Sequence, residues 1–517
     1  MRPPLPVDET RYLAVAWDMW LEGHYLVPHL NGAPYSHKPP LLFWLMTGGW
    51  HVFGLNEWWP RLVAPLFGLG CLALTARLAR ALWPERREVA DLAPLLLFGS
   101  VFWTLFTTLT MFDMLLAFFA LMALLGLLHA ARTGGWSGFM VAGVALGLGG
   151  LAKGPAILLH VLPVALSAPW WVPRLAGPVP SPSWVRWYGG VLLSVALGVA
   201  IGLAWAVPAG IAGGEAYRNA IFWGQSAGRV VNAFAHARPF WWYVAVFPAL
   251  VLPWLLWPPV WRAFRRLTGG LADGGLRLGL VWFATAFLVF SLISGKQLHY
   301  LLPEFPSLAL IAARLLADTP AGEDMRRPWL AAFVFLILGL ALLGLPMLPI
   351  EGAAAGLASD VAHGWAGLLL AAAAAIAFVP LATVRAQAVG LSGLAAVSVL
   401  TAYLSLYPVL ENRYDPTPLA AQLKAFEDEG RAIADFGKYH GQYHFPGRLT
   451  KPIAVIGLDR REEEKFLARH PDGVVVAYYR NPPKGHTPLH AFHFRKMTAV
   501  IWPARALIET PRLGDRR

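Results

Sequence analysis

Charge and cysteine are what this chain has least of. Of its 517 residues, 14% are Asp, Glu, Lys or Arg, and a single one is cysteine. A soluble chain carries roughly a quarter charged residues, so a wholly water-facing surface is excluded. Cys71 stands alone, which rules out an intrachain disulfide and a Cys-based metal site. The sequence has no Walker loop, no dinucleotide fingerprint and no HExxH string, so nothing supports ATP-driven transport. The opening residues MRPPLPVDE lack the apolar core of a secretory signal. Repeats and low-complexity tracts are absent apart from alanine-rich helix.

Apolar residues are abundant: 57% of the chain is hydrophobic, with 24 Trp. Runs of about twenty apolar residues recur, the length that crosses a bilayer as a helix. The chain therefore reads as a polytopic α-helical membrane protein with about twelve spans. They run Leu62–Trp83, Leu92–Thr110, Met114–Ala130, Phe139–Ala152, Pro155–Trp171, Trp187–Ala212 and Trp241–Trp261. Leu278–Ser294, Tyr300–Ala317, Trp329–Ile350, Gly364–Val384 and Val389–Tyr407 complete the set.

The net charge of +12 follows the same topology. Alternate connections hold Arg86 and Arg87, Arg132, Arg174 and Arg186, Arg262 to Arg277, Arg326 and Arg327, and Arg385. Lys and Arg collect on the cytoplasmic side of membrane proteins, so the excess needs no nucleic-acid partner. The remaining connections then lie outside. They gather Asp8, Glu9, Lys38, Asp113, Lys153, Arg229, His236, Lys296 and His299 at one membrane face.

Three regions result: an extracytoplasmic loop over 1–61, a transmembrane region over 62–408 and an α/β domain over 409–517. In the first, Arg11–Glu22 and Leu41–Phe53 read as helices too short to span, lying along the interface. Gly143 and Gly147, four apart, permit close helix approach. After Asn412 the composition turns polar, with strand-like runs PIAVIGL, GVVVAYY and TAVIW alternating with the helix-compatible stretches Pro418–Glu429 and Glu462–His470. By parity this small domain is extracytoplasmic.

Polar residues beside a bilayer are usually functional, and those of the outer face recur in distinct strings. Asp8 and Glu9 stand with Arg11 and Tyr12 in PLPVDETRY, and Lys38 lies in YSHKPPLLFW. Asp113 begins a helix in TTLTMFDMLLAFF, where the helix dipole also favours a carboxylate. Lys153 occupies the turn GLAKGP; Arg229 and His236 lie in FWGQSAGRVVNAFAHARPFWWY; Lys296 and Tyr300 lie in GKQLHYLLPEFPSLAL. A carboxylate can deprotonate an acceptor hydroxyl, and clustered cations stabilise a departing phosphate. His440 and His444, four apart in a loop-like string, read as surface histidines rather than a zinc site. No metal ligands are assigned, and the sequence leaves open whether a divalent metal assists.

These strings, in this order from about Leu5 to Arg314, resemble the GT-C membrane glycosyltransferases that use lipid-linked sugars, the group of the protein mannosyltransferases and the lipid A aminoarabinose transferases. The string VPHLNGAPYSHKPPL is more similar to the aminoarabinose branch. The resemblance implies a GT-C fold, an undecaprenyl-phosphate-linked sugar donor, and lipid A or lipopolysaccharide as acceptor at the outer face of a bacterial inner membrane. It implies Asp8 as catalytic base with Glu9 beside it, and donor or substrate contacts from Arg11, Tyr12, Lys38, Asp113, Lys153, Arg229, His236, Lys296 and Tyr300. The family's glutamate ahead of the Lys-Pro pair is His37 here. Family members also have a helix before the acidic loop, so a further span is expected upstream, about thirteen in a complete protein. A protein hydroxyl or another glycan stays open as acceptor. A lipid-linked-sugar flippase would instead place ionisable groups near the bilayer midplane.

Overall fold

The computed structural model describes residues 2–224, 237–265, 267, 271–319, 328–350, 353–457, 459–483, 485–510 and 513. The chain opens with helix α1 (Asp8–Glu22), a short hairpin of β1 (His29–Leu30) and β2 (Ala33–Pro34), and helix α2 (Leu41–Phe53). The two hairpin-turn residues, Asn31 and Gly32, both have positive φ, 56° and 77°. That is the Asn-Gly turn whose twist suits two adjacent strands. Neither α1 nor α2 is among the helices long enough to span.

Helix α3 (Trp58–Leu82) begins the bundle. It is followed by α4 (Arg87–Phe98), α5 (Val101–Thr107), α6 (Asp113–Thr133), α7 (Ser137–Lys153) and α8 (Ala156–Leu166). Among the described residues, six helices are long and apolar enough to cross a membrane, or up to eight if each bent pair counts once. Several expected spans are continuous, for example Trp184–Ala212 and Gly274–Leu292. Others are broken. The expected Leu92–Thr110 span is α4 and α5, meeting at 69° across Gly99 and Ser100. The expected Trp241–Trp261 span divides into Trp242–Leu250, a 3-10 turn Trp254–Leu256 and Pro258–Phe264. Pro253, Pro258 and Pro259 account for this break, because proline lacks the N–H a helix interior needs. The expected Tyr300–Ala317 span starts as a 3-10 turn, Leu298–Glu304, before the helix Phe305–Leu316.

Small residues let the helices meet closely. A Cβ on Gly147 would lie 2.6 Å from Ile201 Cβ, and one on Gly143 would lie 2.9 Å from Leu197 Cβ. Helix α7 therefore packs on Trp184–Ala212 through a glycine stripe, as the four-residue spacing implies. The same long helix leaves Val185, Leu192 and Ile211 at 87%, 70% and 72% exposure. Apolar surface on that scale is matched to lipid rather than water.

The C-terminal segment forms a five-stranded mixed sheet in the order β4-β3-β5-β7-β6. Its strands are β3 (Ile433–Phe436), β4 (Ala454–Ile456), β5 (Val474–Tyr479), β6 (His490–Phe494) and β7 (Met497–Pro503). Val474 and Val476 of β5 face one apolar layer and Val475 and Ala477 the other, which is the strand period of two. The sheet is seated on the N-terminal helices. Trp17 Nε1 donates to the Leu449 carbonyl at 2.8 Å, and Trp50 stacks on Phe445 with centroids 5.3 Å apart. The Asn31 side chain donates to the Ile453 carbonyl and accepts from its N–H, both at 2.8 Å.

Candidate active site

The acidic pair opens α1, yet its two carboxylates go to different places. Adjacent residues on a helix are turned by about 100°, so one faces inward and the other outward. Glu9 is buried at 4% exposure. Its carboxylate accepts from Arg2 at 2.5 and 2.7 Å and from the N–H groups of Thr110 and Leu5 at 2.7 and 2.8 Å. Burial acts to raise its pKa, but the Arg2 guanidinium and the backbone donors hold it below the usual carboxylate value. Every lone pair is engaged here, so Glu9 anchors the chain ahead of α1 to the turn before α6, unlike Asp8, which is open. Asp8 keeps a side chain 54% exposed, with Arg11 3.9 Å away.

Behind Asp8, one helical turn on, Tyr12 is buried with its ring edge-on to Phe112, centroids 4.9 Å apart. Burial, with the Asp8 charge adding to it, pushes its phenol well above the ordinary value, so Tyr12 is a neutral group. Lys38 places its ammonium 5.5 Å from the centre of the same Phe112 ring. The next residue, Asp113, begins α6 and is buried, ion-paired with Lys153 from the last turn of α7. The Lys153 ammonium also lies 4.9 Å from the centre of the Tyr300 ring. Tyr300 belongs to the Leu298–Glu304 turn. Below it, His160 and Glu304 form a fully buried pair at 2.6 Å.

His299 marks the centre of this group. Asp113, Lys153, Lys38 and Asp8 all act on it electrostatically. Burial is the strongest influence and lowers its pKa to about 4, so the imidazole is neutral at physiological pH. The positive charges around His299 and Asp8 are therefore those of Lys38 and Lys153, which act on His299, and Arg11, which lies beside Asp8. Arg11 also has a buried Nε with no hydrogen-bond partner among the described residues. Such a donor set suits phosphate oxygens.

The structure thus brings together Asp8, Arg11, Tyr12, Lys38, Asp113, Lys153 and Tyr300. It does not bring Lys296 with them: that ammonium donates to the carbonyls of Arg238, at 3.0 Å, and Ile293. In this structure Lys296 ties two backbone segments together instead of joining the group around His299. Arg229 and His236 lie outside the described residues. Sequence reasoning assigned no role to His440, which sits within electrostatic reach of Asp8 and Arg11. Its signal was the KYHGQYH string, whose position over α1 depends on how the sheet docks.

Residues 37–203 match the profile of the family described as dolichyl-phosphate-mannose-protein mannosyltransferase. The chain is similar to undecaprenyl phosphate-alpha-4-amino-4-deoxy-L-arabinose arabinosyl transferase 2 of Pseudomonas fluorescens Pf0-1, 31% identical over 348 residues, which are 65% of this chain and 60% of that one. The corresponding transferase of Pseudomonas aeruginosa PAO1 is 29% identical over 355 residues, 66% of this chain and 60% of the relative. The match thus spans about 60% of the length of these curated relatives. Among solved structures, ArnT from Cupriavidus metallidurans bound to undecaprenyl phosphate superposes with a TM-score of 0.74, at 19% identity, over 97% of this chain and 94% of that one. That likeness fixes the fold as a polytopic helical membrane fold of the GT-C type.

Proposed function

We propose that the chain is a membrane glycosyltransferase of the group that includes the protein mannosyltransferases and the aminoarabinose transferases, to which it is similar, and that it moves a sugar from undecaprenyl phosphate to lipid A. The sugar is 4-amino-4-deoxy-L-arabinose or a close relative. The observation that carries this reading is the convergence of exposed Asp8 with the cations Arg11, Lys38 and Lys153 around Asp113, His299 and Tyr300. Asp8 takes the proton from the acceptor hydroxyl as its oxygen attacks the anomeric carbon. The bond from that carbon to the phosphate oxygen breaks, with inversion, and the cations receive the phosphate charge. Arg229 and His236 belong to the donor side of this scheme.

The broken segments complete about twelve crossings in this reading, with the acidic loop and the sheet domain at the periplasmic face of a bacterial inner membrane. A reporter active only in the periplasm should work when fused after Arg517 and fail when fused at Gly134. The reverse pattern would overturn the assignment of faces. Mass spectrometry of lipid A from cells with and without the gene tests the acceptor. The sugar should be present only with the gene. An unchanged lipid A, with a sugar appearing on a protein or another glycan, would move the chemistry to that acceptor.

A further inference from the structure

Three groups at the far end of α1 have no part in the chemistry above. Asp18 lies ten residues after Asp8, about 15 Å along the helix, so this cluster is separate from the site around Asp8. Helix α1 stops at Gly23, whose φ of 72° is left-handed and whose N–H bonds the Met19 carbonyl. The chain reverses there and brings His24 back onto Asp18, with Nδ1 2.8 Å from Oδ1. Five residues on, β1 places His29 beside His24, their ring centroids 4.0 Å apart at 32°.

One donor atom from each of Asp18, His24 and His29 lies within 4.8 Å of the others. Bonds of 2.0–2.1 Å in a tetrahedral zinc site put ligand atoms about 3.3 Å apart, so modest side-chain rotation closes the set. His29 is held as a metal-binding histidine is. Its Nδ1 is 2.7 Å from the Val27 carbonyl. A carbonyl can only accept, so Nδ1 carries the proton and Nε2 presents a lone pair. A backbone carbonyl that fixes tautomer and ring orientation is the usual support of a ligating imidazole.

We propose that Asp18, His24 and His29 bind a divalent transition-metal ion of the zinc class, tying the end of α1 to the β1–β2 hairpin. Two imidazoles and one carboxylate favour zinc over magnesium or calcium, which take oxygen ligands. Three protein ligands leave the fourth tetrahedral position to water, which reaches this half-buried cluster. The mechanical consequence extends further. The hairpin tip carries Asn31, which is bonded twice to Ile453, so the ion would brace the contact between the N-terminal helices and the C-terminal sheet. This inference is independent of the reaction assigned to Asp8.

The test uses full-length protein without an affinity tag, stripped with chelator and titrated with zinc chloride in detergent. Wild type should take up one zinc equivalent more than the His24→Ala/His29→Ala double variant, which corrects for the other histidines. His29→Gln and Asp18→Asn should each weaken that equivalent at least tenfold. Zinc should raise the thermal midpoint of wild type and leave that of the double variant unmoved, while both melt alike in chelator. Equal zinc uptake by wild type and double variant overturns the proposal. So does magnesium binding as tightly as zinc at the same equivalent. If the double variant fails to fold, His29→Gln decides alone: undiminished zinc affinity there overturns the site.

Discussion

Turnover of the purified Asp8→Asn variant should fall by roughly two to four orders of magnitude, the usual contribution of a general base, while donor affinity stays close to wild type. Asparagine keeps the shape of the side chain and removes its basicity. The structure sharpens this expectation, because Glu9 cannot take over: its carboxylate is buried against Arg2, Thr110 and Leu5. Asp8 alone of the pair is open to an acceptor, at 54% side-chain exposure. Glu9→Gln should behave differently, lowering the thermal midpoint before it alters the chemistry. Near-normal turnover by Asp8→Asn would remove it as base and turn attention to Asp113.

The second large effect concerns Lys153. Its partner Asp113 has 3% of its side chain exposed, and removing one member of a buried pair costs about 3–5 kcal/mol because the other charge is left uncompensated. Lys153→Met should therefore lower the thermal midpoint markedly and abolish transfer together. The double variant Asp113→Asn/Lys153→Met removes both charges and should recover most of the stability without recovering transfer. Recovery of transfer as well would make the pair a packing device, with no part in holding the donor phosphate.

Much of this site is legible in the sequence, because it is written in short strings at helix ends. Asp113 opens α6 and Lys153 closes α7, so each sits at a membrane face whatever the packing. The limits of α2 are likewise readable, since Pro39 and Pro40 precede it and Gly54 ends it. What the sequence does not carry is orientation. Asp8 and Glu9 are neighbours of similar chemistry, and only the rotation of α1 decides which is buried. Lys296 looks like another outer-face cation until the backbone carbonyls of Arg238 and Ile293 surround it. Strands β3 and β6 are short and mix polar with apolar residues, so neither stands out until β5 and β7 supply the ladder. The breaks in the spans follow prolines and a Gly-Ser step, while hydropathy averages over them.

The most direct measurement follows a labelled sugar from undecaprenyl-phosphate-linked aminoarabinose in the presence of lipid A and the purified full-length protein. The account predicts that label moves to lipid A, that one undecaprenyl phosphate is released for each sugar transferred, and that Asp8→Asn does neither at a comparable rate. Intact donor that only changes leaflet, or no transfer from any polyprenyl-phosphate sugar to any acceptor, would contradict it.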